Sequence, residues 1–141
     1  MYLSIFIFII NILNVNTYGW FPLLDLKTYN TKKLSSIQIL NKELVIWEKN
    51  NSIIVQDNAC IHRKAPLSEG YIDIQSNNLH CSYHGWEFDE NGSVKSIPQS
   101  NCNTCNIKFK QKTYETKKSN NILWINFNET EKFPHHISKY N

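Results

Sequence analysis

Residues 57–99 read DNACIHRKAPLSEGYIDIQSNNLHCSYHGWEFDENGSVKSIPQ, and this stretch decides the fold because it holds two Cys and two His in two short pairs. Cys60-x-His62 comes first; after 18 intervening residues comes Cys81-x-x-His84, followed at once by Gly85 and Trp86. The four side chains read as ligands of one metal centre. A zinc knuckle usually places about two to four residues between two ligands of one ion. The single residue between Cys60 and His62 fits that geometry poorly and suits a bridge between two metals better. Structural zinc on the same residues, and four unrelated core residues, are the competing readings; paired spacings weigh against both.

The spacing CxHx18CxxH resembles the Rieske 2Fe-2S site, and that resemblance implies one iron held by Cys60 and Cys81 and the other by His62 and His84. Neutral imidazoles in place of two thiolates leave the oxidised centre with less negative charge, so an electron is easier to add. The flanking residues resemble one group within that family, the plastid-type Rieske oxygenases. They are His62-Arg63, Ala65-Pro66-Leu67-Ser68-Glu69-Gly70, Cys81-Ser82-Tyr83-His84-Gly85-Trp86-x-Phe88-Asp89 and Ile97-Pro98-Gln99. Upstream, Trp20-Phe21-Pro22 is similar to the group's Trp-Tyr-Pro, and Leu44-Val45-Ile46-Trp47 to its apolar strand before the first loop. The chain departs at Ile61, where the group usually has Pro, and at Tyr71, where it usually has Arg. Cytochrome-complex Rieske proteins carry an extra Cys in each loop; here Ala65 and Tyr83 stand in those places.

The resemblance implies supporting roles around the four ligands. Arg63 is expected beside His62, and it is the single Arg among 15 basic residues. Its flat guanidinium offers donors in a geometry Lys cannot supply. Pro66 and Leu67 are expected to close the first loop, Gly85 to let the backbone approach the centre, and Tyr83 and Trp86 to lie against it, Trp86 as a shield.

At 141 residues the chain can build one domain with a real core. After Gln99 the remaining His are His135 and His136, which do not make the two-His-one-carboxylate site of an oxygen-activating iron. The expected function is therefore electron transfer through a Rieske 2Fe-2S cluster, with a ferredoxin, a reductase or a separate oxygenase subunit as partner. Two alternatives stand beside it. One is an N-terminal fragment or subunit of a plastid oxygenase acting on chlorophyll-type substrates; the other is a non-enzymatic redox-sensing subunit of a membrane complex.

Net charge is +3, but from Asp57 to Pro98 six acids (Asp57, Glu69, Asp73, Glu87, Asp89, Glu90) meet three bases (Arg63, Lys64, Lys95). The cluster region is thus the acidic one. Lys108, Lys110 and Lys112 read as one face of a strand, extended by Lys117 and Lys118, either a solvated edge or a patch for an acidic redox partner. No aromatic stacking surface accompanies these bases, so nucleic acid is not expected as a partner. Cys102 and Cys105 read as loop thiols rather than a redox pair.

Residues 1–19 carry no charged side chain and an apolar core from Leu3 to Val15. This leader is expected to be a signal peptide or a membrane anchor, giving possible membrane association in a plastid or another organelle. The Rieske domain is expected over residues 20–127 and a polar tail over 128–141. Within the domain, short β-rich runs alternate with turns, predicting an all-β fold of small antiparallel sheets with both cluster-binding loops at one end. Hairpins are expected around Asn50-Asn51, around Asn91-Gly92 as a type I′ turn, and around Ser119-Asn120-Asn121, the last between strands 107–115 and 121–127.

Overall fold

The computed structural model describes residues 19–29, 34–100 and 108–134. Residues 1–18 of the leader, Cys102, Cys105, His135 and His136 lie outside the described residues. Those described form an all-β, antiparallel structure, without an α-helix among them, in two compact units. The larger unit runs from Thr28 to Tyr114; the smaller joins the chain up to Lys27 with the chain from Glu115 onward.

In the larger unit, β2 (Ser35–Ile39), β3 (Lys42–Lys49) and β4 (Ser52–Asp57) form a meander. Leu44, Val45, Ile46 and Trp47 on β3, and Ile53, Ile54 and Val55 on β4, are all buried. Their continuous apolar runs match strands covered on both faces rather than the alternation of a half-exposed sheet. Leu40-Asn41 and Asn50-Asn51 connect the strands with positive φ at both residues, the mirror-image turn whose twist suits a two-residue hairpin. The second was expected from its two asparagines. The first uses Leu40 at φ 47°, which no turn signal announces.

A second, four-stranded sheet is made of short pieces: β5 (Tyr71–Ile72), β6 (Leu79–His80), β7 (Glu87–Phe88) and β8 (Val94–Ser96), in that order. One core joins it to the meander: Val45, Trp47 and Ile54 pack with Leu67, Leu79, Phe88, Cys60 and Cys81. Both cysteines therefore sit at the end of the apolar core.

The turn after β7 differs from expectation. Gly92 has φ 76°, but Asn91 lies outside the positive-φ region, so this is not a type I′ turn. Asp89 reorganises it: its Oδ1 accepts from Asn91 N and Ser93 N, while Gly92 N donates to the Asp89 carbonyl. A tight turn followed by a left-handed glycine results, and the pairing of β7 with β8 is irregular there.

The lysine stripe also changes. The strand β9 (Thr113–Ser119) begins after Lys108, Lys110 and Lys112, which lie in extended chain where Lys110 makes one isolated bridge to Ser93. The three remain exposed, but a regular strand face does not present them.

In the smaller unit, β1 (Trp20–Asp25) pairs with β10 (Ile122–Asn126), which pairs with β9 through a two-residue turn at Asn120-Asn121. Trp20, Leu23, Leu123 and Ile125 are buried. Residues 128–134 are laid against this sheet: Phe133 meets Trp20 edge-on at 4.9 Å, and Trp20 Nε1 donates to the Glu131 carbonyl at 3.1 Å.

Candidate metal centre

Two loops carry the four candidate ligands, one leaving β4 and the other joining β6 to β7. Their backbones close in the same way. Cys60 N donates to the Ala65 carbonyl and Lys64 N to the Cys60 carbonyl; Cys81 N donates to the Trp86 carbonyl and Gly85 N to the Cys81 carbonyl. In both, the residue four places after Cys is left-handed, Lys64 at φ 60° and Gly85 at φ 71°. Each Cys thus heads an identical turn, which brings its His back beside it although His62 is two residues on and His84 three.

The structure brings the four together as two like pairs, thiol with thiol and imidazole with imidazole, and among the described residues no three His, Cys, Asp or Glu side chains gather around one single-ion position. Cys60 and Cys81 are free thiols, 1% and 2% exposed, close enough to interact with each other. Burial, above all, pushes the Cys60 thiol up to about 11, against the backbone N–H groups of His62 and Arg63, which bond to its sulfur and favour the thiolate. Outside the thiols, the His62 and His84 rings meet edge-on at 4.8 Å. Desolvation, then the neighbouring His84 and Arg63, hold His62 below its ordinary value and so in the neutral form that can ligate a metal.

The supporting residues divide. Trp86 stacks flat on His62, 4.6 Å between centroids and 7° between planes. Its buried Nε1 has no hydrogen-bond partner among the described residues. Tyr83 meets His84 edge-on at 4.2 Å and is 62% exposed, so it forms the outer lip rather than a cover. Leu67 is fully buried in the core with both cysteines, and Pro66 pairs with Ala59 to close the base of the first loop. Arg63 is exposed and acts through its charge on His62 and its backbone N–H. Gly85 meets the need for positive φ, and its α-carbon abuts Pro98 so closely that a Cβ would lie 2.9 Å from Cγ.

The sequence reading gave no role to three residues that secure these loops. Gln99 Nε2 donates to the His84 carbonyl at 2.7 Å, so Pro98 and Gln99 together cover the second loop. Asn58, 1% exposed, accepts from Ser68 N at 2.7 Å and donates to Glu43 at 3.0 Å, fixing the chain on either side of the first loop. Gln111, also 1% exposed, bonds three backbone groups of that loop. Asn58 and Gln111 lie in polar stretches where no hydrophobic pattern marks a buried position. A separate open groove of about 550 Å³ lies beside the first loop, between Lys42, Glu43, Asp57, Asn58 and Glu69. Its mixed charges give it no chemistry in common with the Cys/His pairs.

The donor set fits a mixed Cys/His iron–sulfur cluster: a buried thiol pair, a neutral imidazole on the outer side, and, on the ring stacked against that imidazole, a buried Trp86 N–H without a partner among the described residues. Comparison with known proteins agrees. The family model of the Rieske [2Fe-2S] domain matches residues 19–116. Pheophorbide a oxygenase, chloroplastic, of Oryza sativa subsp. japonica is 42% identical over 83 residues, covering 57% of this chain and 16% of the relative. The solved structure of NdmB from Pseudomonas putida CBB5 superposes with a TM-score of 0.72 at 25% identity, covering 82% of this chain and 37% of that one. The reduced oxygenase–ferredoxin complex of carbazole 1,9a-dioxygenase gives the same fold, with a TM-score of 0.72 at 22% identity over 82% of this chain and 30% of that one. The chain spans 15% to 32% of the length of the curated relatives compared. Paired Cys and His on two matched loops, in an antiparallel fold shared with these oxygenases, make this chain a member of the Rieske [2Fe-2S] domain family, built for one Rieske-type 2Fe-2S cluster.

Proposed function

We propose that Cys60 and Cys81 hold the inner iron and His62 and His84 the outer one, and that the chain passes electrons within an oxygenase-type system. The observation that carries this is the matched pair of turns, with thiols inside the core and imidazoles outside it. When bound, the cluster takes up and returns one electron. The chain's own residues do the rest. The apolar core around Cys60 and Cys81 excludes water from the thiolate side. The Trp86 stack fixes the plane of His62, and the exposed ring of Tyr83 beside His84 gives a redox partner an apolar surface to meet.

A ferredoxin-type donor and a catalytic oxygenase part are the partners of this reading, supported by the carbazole 1,9a-dioxygenase complex of an oxygenase with a ferredoxin. A plastid is the proposed location, supported by the chloroplastic relative. The fragment or subunit reading, with a chlorophyll-type substrate, draws on the same relative, of which this chain covers 16%. Membrane association would have to come from the leader, since among the described residues no helix is long and apolar enough to cross a membrane. The domain is proposed to begin near Trp20, which opens β1, pairs with Asn126 of β10 and is buried with its ring edge-on to Phe133.

The test is metal and sulfide analysis with electron paramagnetic resonance of the purified chain. Two irons, two sulfides and a reduced-state signal at the low average g expected of Cys/His ligation are the expected result. One zinc and no acid-labile sulfide would defeat the assignment.

A further inference from the structure

We infer that Gln111 is the positioning residue that sets the first cluster-binding loop against the hairpin following the second, so that one side chain and its own backbone hold the two loops at their working separation. The inference rests on the ligand assignment above.

Gln111 lies just before β9, remote in sequence from both loops, yet it is 1% exposed. A buried primary amide has one acceptor and two donor hydrogens to satisfy, and here all are used on one loop. Oε1 accepts from Ile61 N at 3.0 Å, and Nε2 donates to the Asp57 carbonyl at 2.7 Å and the Ala59 carbonyl at 3.1 Å. These groups bracket Cys60, and Ile61 N lies between Cys60 and His62. The backbone of Gln111 faces the other way: its N–H donates to the Gly92 carbonyl at 2.8 Å. The approach is close enough that a Cβ on Gly92 would fall 2.0 Å from the Gln111 carbonyl oxygen.

Gln56, fully buried, seals the same seam by donating to the Asp89 carbonyl and to Thr113 Oγ1, each at 3.0 Å. Gly92 and Asp89 belong to the β7–β8 turn, and β7 is the direct continuation of the second loop after Trp86. Gln111 therefore connects the strand segment behind one loop to the strand segment behind the other. Ile61 gives the bond a further purpose. Proline, the residue usual at this place in the resembling group, has no N–H to satisfy and a fixed φ. Ile61 brings both a donor and freedom, and the Gln111 amide accommodates the one and restrains the other.

The test uses the full, cluster-loaded chain. Gln111→Leu keeps the backbone bond to Gly92 and removes the side-chain bonds. Outer groups that orient metal ligands typically change affinity by about 10- to 100-fold, so cluster loss to a chelator should accelerate by about tenfold, with a visible shift in g values and visible circular dichroism. Adding Ile61→Pro to Gln111→Leu removes the stranded donor and should recover much of the lifetime. If Gln111→Leu does not accumulate folded, Gln111→Glu, which keeps the size and the acceptor for Ile61 N but sets an oxygen against the Asp57 and Ala59 carbonyls, should show the same changes. Wild-type lifetime and spectra in whichever of these variants accumulates, or a double variant worse than Gln111→Leu, would overturn the inference. A wild-type chain with no cluster would overturn the ligand assignment instead, which keeps the two failures apart.

Discussion

The loops that begin at Cys60 and Cys81 have the same backbone turn and differ in what secures them. Both close with the same two hydrogen bonds and both need a left-handed residue four places after Cys. The second meets the need with Gly85 and is covered by residues soon after it, Pro98 against Gly85 and Gln99 on the His84 carbonyl. The first meets it with Lys64, an L-residue held at φ 60°, and adds to its local bonds at Asn58 and Pro66 a distant support, Gln111. The same two backbone bonds set both turns, whereas the sequence around each turn decides whether rigidity is local or partly borrowed from another strand. A loop secured locally should fail through its own residues; one secured from afar should tolerate local change and fail when its support is removed.

The ligands themselves admit no such asymmetry, and there the expected effect is largest. Cys60→Ser and Cys81→Ser should each abolish cluster retention, read as loss of iron, sulfide and the reduced-state resonance, because a hydroxyl is not a thiolate donor at neutral pH. Full iron content in either variant would remove that residue from the ligand set. Gly85→Ala comes next. Left-handed geometry costs an L-residue roughly 1–2 kcal/mol, and the added Cβ would lie 2.9 Å from a ring carbon of Pro98, which cannot swing away as a flexible chain end does. A loss of about 2 kcal/mol is expected from the backbone preference together with overpacking, measured by denaturant unfolding of the loaded chain. A loss below about 0.5 kcal/mol, smaller than the left-handed penalty alone, would mean that the second loop can relax and is not locally fixed.

Much of this was legible before any coordinates. The Cys/His pairs, the all-β class and the Asn50-Asn51 hairpin follow from local signals, since ligand spacing, β-rich runs and paired asparagines each act within a few residues. The failures have two causes. Asn91-Gly92 has the sequence of a type I′ turn, but Asp89 captures the backbone N–H groups of Asn91 and Ser93 and sets another geometry. Leu40-Asn41 takes a mirror-image turn without any turn residue at its first position, because β2 and β3 pair on either side of it. Gln111 sits between two lysines in a stretch that reads as solvated edge, and its burial comes from residues some fifty places away. Only Gln111 is decided by partners remote in sequence; the two turns are set by near neighbours, Asp89 and the flanking strands, which the turn dipeptide by itself does not show.

Acidity probes the first loop at the sulfur. Burial above all pushes the Cys60 thiol up to about 11 in the metal-free chain. The thiol is therefore protonated at neutral pH, and iron can take this position only as the proton leaves. Cluster loading should strengthen as pH rises from 7 toward 11, with at least about one proton released per chain loaded. For the metal-free fold the sign reverses. A folded value above the thiol's ordinary value of 9.0 favours the neutral thiol, so its stabilising contribution is complete below pH 9 and is lost as pH rises through about 11. Melting of the metal-free chain across that window, beside loading measured at the same pH values, should give opposite trends. Parallel trends would mean that Cys60 is not the group being titrated.

The smallest expected effect is also the sharpest test of the contrast, because its sign should be opposite to that of Gly85→Ala. Lys64 occupies the same place in its turn as Gly85 and has φ 60°, but it carries a side chain and is exposed. Replacing it with glycine relieves a left-handed penalty of roughly 1–2 kcal/mol. Against that stands the extra freedom glycine gives the unfolded chain, about 0.4–1 kcal/mol. The difference favours Lys64→Gly by about 0.5 kcal/mol, a rise in melting temperature of roughly 1–2 °C for a chain of this size. Lys64→Asn should lie between the two, since asparagine tolerates the left-handed region better than lysine but less well than glycine. The ligands, the Gln111 bonds and the two backbone hydrogen bonds of the turn are untouched by either change, so cluster lifetime should stay at the wild-type value. If Lys64→Gly instead destabilises by about 1 kcal/mol or more, beyond what unfolded-chain entropy supplies, the Lys64 side chain is itself securing the loop, and the division between a locally fixed and a remotely fixed turn fails.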